Sequence, residues 1–430
     1  MQIKKIKFQN PLTFAEKIAQ NYKQKDWVFL YSALNNDVKN SISTIALFPK
    51  NQIIENDFNK AKNSIKKIGG KWFGYLSYEL GNSFEKLPKT KKSFINLPKI
   101  NLINFAVIFE FHHDKKELIA LFEDEKLLNK VLNWQKKKEL IFDFKVKNLD
   151  SNFSDNSYLK EINAIKQMIA RGVFYQMNLT RKFFGKFNKN FKSEESFFLF
   201  KKLAKTSPAN YASFLKLRDV CVISSSPELF LNFRNNQIIS RPIKGTTPRS
   251  SSKKVDLENK NFLKNSAKER AENLMIVDLV RNDLARICKA GSVSVKKLFE
   301  ITSYKTIHHM SSEISGKIDK KFDLFDVINA CFPAGSMTGA PKIKAMEIIA
   351  KKEKLNRGIY SGGIGFIDHD KEELNLSVVI RTLLVQKNNF EFQVGGGITY
   401  DSDAKSELLE TFSKAKAIIN LLESQTKIRK

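Results

Sequence analysis

The sequence predicts an α+β fold, with clustered strands joined as hairpins and helices packed outside them. Three observations carry that expectation. Short, aromatic-rich apolar runs of strand length recur in the first third: WVFLYS (27–32), WFGYLSYEL (72–80), INFAVIFEF (103–111) and LIALFED (118–124). Further runs at 211–216, 219–224, 228–233 and 237–241 follow one another at hairpin spacing. A doubly wound parallel sheet would instead alternate them with helices. Finally, 42% hydrophobic and 11% aromatic residues suit a large packed core and exclude global disorder.

In chain order, charged helical periodicity marks 56–67 and 125–138. The polar stretch VKNLDSNFSDNSY, around 145–157, reads as a boundary between an N-terminal region (1–150) and a second region (151–430). At 430 residues the chain exceeds what one hydrophobic core usually organises, which also points to cooperating subdomains. A helix is expected from Asn156 to Arg171, stopped by Gly172, then a strand at 173–183. Beyond the hairpins come a helical tract at 265–288, strands within 291–309, and helices at 322–330 and 341–355 flanking PAGSMTGAP. Strands at 359–367, 374–386 and 390–397 precede a closing helix at 404–424.

Lys+Arg number 74 against 45 Asp+Glu, a formal net charge of +29. Only 12 of the basic residues are Arg, none before Arg171, and the lysines are spread along the whole chain. Nucleic-acid readers concentrate charge and use Arg forks, so the pattern reads as solvated surface and no nucleic-acid partner is expected. No apolar run reaches the roughly 18–20 residues of a membrane helix, so no membrane association is expected either. MQIKKIKFQNPL lacks the apolar segment of a signal peptide. Cys221, Cys288 and Cys331 form no C-x-x-C pair or disulfide framework, which fits a reducing, cytoplasmic location.

Two carboxylate pairs stand out at helical i,i+3 spacing, Glu269/Glu272 in KERAENLMIVDLVRND and Glu407/Glu410 in SELLETFSKA. Each pair shares one helix face and could present two oxygen ligands to a magnesium ion, although solvated helix faces look the same. The glycine-rich stretches PAGSMTGAPK, YSGGIGF and VGGGITY could expose backbone N–H groups to an anion, or could be tight turns. None matches a nucleotide-binding loop. In RPIKGTTPR, Lys244 lies between an Ile and a Gly, where an amine could act as a nucleophile; the alternative is one more surface lysine. One of His308 and His309, in an apolar-flanked strand, is expected to face inward.

Taken together, GVFYQMNLTRKF, SSSPELF, RPIKGTTPR, AENLMIVDLVRNDLARIC, HHMSSEISG, FPAGSMTGAPK, GIYSGGIGF, VVIRTL, GGGITYDSD and ELLETFSKA resemble, in order, the chorismate-utilising enzymes. That family includes the anthranilate, aminodeoxychorismate, isochorismate and salicylate synthases. The resemblance spans about 157–424, and more loosely reaches GKWFGYLSYEL. It implies two β-sheets packed face to face with helices outside, and chorismate as substrate. Members that add water carry a lysine base where this chain has Gln176, so the resemblance implies ammonia as nucleophile. Anthranilate synthases carry alanine at the position of Lys244; lysine there marks the aminodeoxychorismate branch, with anthranilate synthesis the alternative.

The resemblance also implies roles. Lys244 would attack ring carbon C2 and Glu228 would act as acid and then base, with His309 orienting the ring. Glu272 and Glu410 would hold Mg²⁺, with Glu269 and Glu407 as outer ligands through water. Gln176, Thr246, Ser336, Tyr360, Arg381, Gly395, Gly396 and Gly397 would line the substrate site, Arg381 and Tyr360 on the enolpyruvyl carboxylate. No glutaminase nucleophile is visible, so ammonia would come from a separate glutaminase subunit. Departures from the family pattern are Asn273 in place of a common His and Ser336 in place of Thr. Ser32 is a candidate effector-pocket residue in an altered context.

Overall fold

The computed structural model describes residues 1–23, 25–34, 41–137, 142–304 and 307–423. Among these residues twenty strands join into one antiparallel hydrogen-bonded network whose ladder order resolves into two sheets sharing a pair of long strands. The first sheet runs β1 (Gln2–Ile6), β6 (Glu117–Phe122), β5 (Ile100–His112), β3 (Ile42–Glu55), β2 (Trp27–Tyr31), β9 (Tyr211–Leu217) and β10 (Val220–Ser226). It continues through β19 (Thr382–Gln386), β20 (Asn389–Ile398), β8 (Gln176–Phe187) and β7 (Val146–Ser151). The second leaves the first half of β5 through β4 (Lys71–Leu76), β17 (Gly363–Asp368), β18 (Glu373–Val378), β11 (Leu229–Arg234) and β12 (Gln237–Arg241) to β15 (Ile307–Lys317). There β13 (Ile243–Pro248) and β14 (Ser294–Ser303) flank β15, while β16 (Gly339–Ala340) pairs with the start of β8.

The junction has a local cause. Register between β3 and β5 shifts between Pro49 and Asn51, where proline offers no N–H and Phe48 takes φ 62°. On one side of this bulge β5 pairs with β4 through Ile100–Asn104, on the other with β6 through Val107–His112. Its side chains change layers accordingly. Ile103 and Phe105 lie in the core between the sheets, whereas Val107, Phe109 and Phe111 lie under helices.

Burial on both faces follows the period of two along each strand. Val220 and Val222 of β10 pack between the sheets with Val28, Phe73, Tyr75 and Ile364. Cys221 and Ile223 point the other way, beneath α1 (Pro11–Asn21), α3 (Glu125–Leu132), α5 (Ser193–Thr206) and α10 (Ala404–Glu423). The outer face of the second sheet is covered by α2 (Phe58–Ile68), α7 (Ala267–Ala285) and α8 (Leu324–Cys331). A fourth cluster joins α4 (Asp155–Ala170) and α9 (Lys342–Glu353) to the start of β8, and α6 (Lys253–Asn265) lies along β13. The expected face-to-face sheets with helices outside are therefore present. No helix among the described residues is long and apolar enough to cross a membrane.

Several element boundaries need correction. The polar stretch at 145–157 is no spacer: Val146–Ser151 forms edge strand β7, and Ser154 caps α4 by accepting from the Ser157 N–H. An edge strand open to solvent on one side can be polar, which is why it reads as a loop. Regions 1–150 and 151–430 share both sheets, because β2 pairs with β9, β4 with β17 and β7 with β8. The 265–288 tract divides at Ser266, the N-cap of α7. The 374–386 run divides into β18 and β19 around Arg381, whose backbone is left-handed at φ 50°. The 125–138 helix ends at Leu132, and residue 138 lies outside the described residues, as does 424 at the end of the last helix. Helices α1 and α5 and strands β1 and β3 are not foreseen.

Candidate active site

Strand ends, strand breaks and two helix faces bring the candidate residues together. Gln176 opens β8 between the ends of β16 and β20, where Ile398 pairs with Met177 and Gly397 with Asn178. A β-carbon placed on Gly397 would lie 2.4 Å from Gln176 Nε2 and 2.9 Å from Lys244 Nζ. Two long polar side chains thus converge over the Gly397 backbone, and a side chain there would displace their ends. A β-carbon on Gly396 would lie 2.9 Å from Glu407 Oε2. Gly395 enters through its carbonyl, which accepts from Lys414 Nζ at 2.8 Å.

Glu228 sits in the turn between β10 and β11. Its N–H donates to Ser226 Oγ at 3.3 Å and its carbonyl accepts from the Val378 N–H at 3.0 Å. The side chain is buried and accepts from Ser336 Oγ at 2.6 Å. Burial pushes the carboxyl up to about 7, against the opposing hydrogen bond from Ser336 and the charge of Lys244. A carboxyl so placed can both give and take a proton near neutrality.

His308 and His309 both prove buried, on opposite faces of β15, so the expectation of one inward histidine is corrected to two. His308 bonds Ser303 Oγ at 2.8 Å and Asp256 at 3.2 Å. His309 Nε2 lies 3.3 Å from Arg381 Nη2, and Nδ1 lies 2.8 Å from Thr246 Oγ1. Burial, and then the Arg381 charge, push His309 down to about 3, leaving it neutral. Since guanidinium can only donate, Nε2 accepts and the ring proton is on Nδ1, donating to Thr246. Tyr360, buried just before β17, has its phenol held protonated by burial; Glu228 and Arg357 are among the charges acting on it.

The two carboxylate pairs face each other from α7 and α10. Burial first, then the negative charge of Glu410, raises both Glu269 and Glu407 above the usual carboxylate range. Glu272 is raised by burial, with Lys244 opposing and Glu269 adding. For Glu410 burial would act upward, but Lys414 at 2.6 Å, Lys244 and Lys268 outweigh it and leave it lowered. Lys268 Nζ lies 3.6 Å from Glu407 and 4.0 Å from Glu272. As placed, no three potential ligands among the described residues stand close enough to share one ion. The donor chemistry nevertheless fits a hard cation: the four carboxylates offer only oxygen, and Glu407 Oε2 is buried without a hydrogen-bond partner among the described residues.

All the candidate residues thus belong to one connected cluster. Lys244 links its two halves, since its charge acts on Glu228 as well as on Glu269, Glu272 and Glu410. Gln176 is buried, and its Oε1 finds no hydrogen-bond partner among the described residues.

A sequence model for chorismate binding enzymes matches residues 17–420. The chain belongs to that family. It is 34% identical over 353 residues to aminodeoxychorismate synthase component 1 of Salmonella typhimurium, covering 82% of this chain and 76% of that one. It is 33% identical over 349 residues to anthranilate synthase component 1 of Saccharolobus solfataricus, covering 81% and 80%. The crystal structure of anthranilate synthase component I from Streptococcus pneumoniae superposes with a TM-score of 0.77 at 24% identity, covering 91% of this chain and 93% of that one. This family member is therefore a chorismate-utilising enzyme.

Two site cations escaped the sequence reading, Lys268 and Lys414. Each stands four residues after a candidate ligand, Lys414 after Glu410, or before one, Lys268 before Glu272, so helical spacing could have found both. Among the departures, Asn273 is buried and accepts from Ser312 Oγ at 2.6 Å. The Ser32 N–H donates to Ser43 Oγ at 3.1 Å, while residues 35–37 of its motif lie outside the described residues.

Proposed function

We propose that the enzyme aminates chorismate at C4, giving 4-amino-4-deoxychorismate, the precursor of p-aminobenzoate for folate. The observation that carries this reading is the position of Lys244, beside Gly397 and Gln176 and between Glu228 and the carboxylate helices. The amine of Lys244 attacks C2 of the ring and the two conjugated double bonds shift toward C4. There the C–O bond breaks, and the leaving hydroxyl takes the proton of Glu228 and departs as water. Ammonia then adds at C4, the electrons return and the Lys244–C2 bond breaks. Glu228, now a carboxylate, accepts a proton from the added nitrogen.

Gln176 can donate or accept a hydrogen bond but cannot act as a base, which disfavours activation of water. Arg381 offers a planar pair of donors to the enolpyruvyl carboxylate, Tyr360 a hydroxyl, and neutral His309 holds Arg381 through Nε2. Glu272 and Glu410 would hold Mg²⁺, with Glu269 and Glu407 behind them, and the ion would neutralise the ring carboxylate when bound. The chain's three cysteines are buried, and burial pushes Cys221 and Cys288 up to about 11 and Cys331 further. None suits a glutaminase nucleophile, which supports a separate glutaminase subunit as the ammonia source. The cytoplasm, where chorismate and ammonia would meet, is the proposed location.

The test is mass spectrometry of the product from chorismate, ammonium and Mg²⁺. Aminodeoxychorismate without pyruvate is expected; fluorescent anthranilate with equimolar pyruvate would overturn the C4 assignment.

A further inference from the structure

Arg357 stands apart from the reacting groups, yet its one guanidinium ties together three segments that carry them. It is among the largest fully buried side chains. Nη1 donates to the Met337 carbonyl at 2.7 Å and to Ser361 Oγ at 3.2 Å. Nη2 donates to the Asn178 carbonyl at 2.8 Å and to Glu353 Oε1 at 2.7 Å, and Nε donates to Glu353 Oε2 at 2.9 Å. All five N–H groups of the guanidinium are thereby used. Met337 follows Ser336, Ser361 follows Tyr360, and Asn178 lies two residues beyond Gln176.

The anchor is itself fixed. Glu353 Oε1 accepts from the Thr180 N–H at 2.9 Å, and the guanidinium lies 4.6 Å from the Tyr78 ring centroid. The backbone N–H groups of Arg357 and Gly358 donate to Glu79 at 2.7 and 3.0 Å. A planar five-donor group can hold three carbonyl-bearing or hydroxyl-bearing segments in one plane, which an ammonium cannot.

We propose that Arg357 is a positioning residue of the chorismate site: its bond to the Met337 carbonyl keeps the Ser336 hydroxyl aimed at Glu228, and its bond to the Asn178 carbonyl keeps Gln176 beside Gly397. The inference rests on Glu228 being the acid–base group. Around Glu228 stand Ser336, Lys244, the Ile243 N–H and Lys414, with Tyr360 and Arg381 also within electrostatic reach. Of these the Ser336 bond is the largest influence opposing burial. Loosening the Met337 segment therefore makes Glu228 hold its proton to higher pH.

The experiment titrates the infrared band of protonated Glu228 in the full chain without substrate, the band being assigned by its loss in Glu228→Gln. Arg357→Lys should move the midpoint up by about one pH unit, as Ser336→Ala does, the scale of one hydrogen bond to a charged group. The double variant should move it no further than either change alone. The pH profile of chorismate consumption should shift in parallel, with kcat/KM reduced roughly tenfold or more. A lowered melting temperature with an unmoved band and pH profile would make Arg357 merely structural and end the proposal, as would additive shifts in the double variant. If Arg357→Lys does not fold, Glu353→Gln weakens the anchor while leaving the guanidinium, and a smaller upward shift is required of it. The band is read without turnover, so a wild type that fails to consume chorismate defeats the functional reading and leaves this test standing.

Discussion

Under the proposed function, Glu228, Lys244 and Gln176 divide the chemistry at the residue scale. Glu228, held near 7 by burial against Ser336 and Lys244, is the proposed acid–base group. Glu228→Gln should lower kcat by about two to four orders of magnitude with little change in melting temperature, checked by steady-state rates and calorimetry. Lys244→Ala should lose most amination at low ammonium. Intact mass of the wild type quenched with chorismate and no ammonia should show a Lys244 adduct equal to chorismate less water. An absent adduct together with wild-type activity in Lys244→Ala would show that the amine takes no covalent part. Gln176 lies against Gly397 with Oε1 unpartnered, so Gln176→Lys should place a base there and open a hydroxylating side path. Isochorismate in the absence of ammonium is the expected readout, and the wild type should make almost none.

At the scale of elements, α7 and α10 set two carboxylate pairs opposite each other, and neighbouring lysines relieve only part of the repulsion. Glu269, Glu272 and Glu407 are raised above the ordinary value of 4.5 in the fold, so the folded protein holds their protons more tightly than the unfolded chain. Their contribution to stability is therefore greatest below about 4.5 and declines as pH rises through the raised values toward neutrality. Without metal, wild-type stability relative to Glu407→Gln should fall as pH rises above about 4.5, measured by thermal unfolding of both. Mg²⁺ at neutral pH should reverse the loss, by about 2.7 kcal/mol at a hundredfold excess over Kd. A melting temperature indifferent to Mg²⁺ at pH 7 would remove the metal assignment.

At the scale of the molecule, the two sheets exchange strands between the N-terminal and C-terminal parts of the chain. Strand β2 lies on β9 and β4 on β17, and the inter-sheet core draws Phe73, Tyr75 and Ile103 from one part and Val222, Ile364 and Leu384 from the other. Neither part can bury that core alone. The full chain should therefore unfold in a single calorimetric transition, and residues 151–430 expressed alone should show no cooperative melt. Two resolved transitions, or a stable isolated C-terminal part, would contradict this.

The sequence by itself determined the family and the strand-rich α+β class, and it picked out the groups proposed to react. Ten collinear motifs carry side chains whose chemistry is local: the amine of Lys244, the carboxyl of Glu228 and carboxylates spaced i,i+3 on α7 and α10. Their positions along single elements were legible because helix and strand periods are local properties. What only the tertiary structure decided is non-local. Strand β7 reads as polar linker because one of its edges is solvent, and β3 passes between sheets at a bulge that no period announces. The division at Arg381 depends on a left-handed backbone held by the Ser225 N–H, which donates to its carbonyl at 3.1 Å. Sequence reading likewise missed Arg357, one of twelve arginines in a lysine-rich chain. Its five acceptors come from residues as far away as Asn178, and chain spacing cannot show such convergence. Proton affinity belongs with these: Glu228 is an ordinary glutamate until burial and Ser336, 108 residues away along the chain, set its charge.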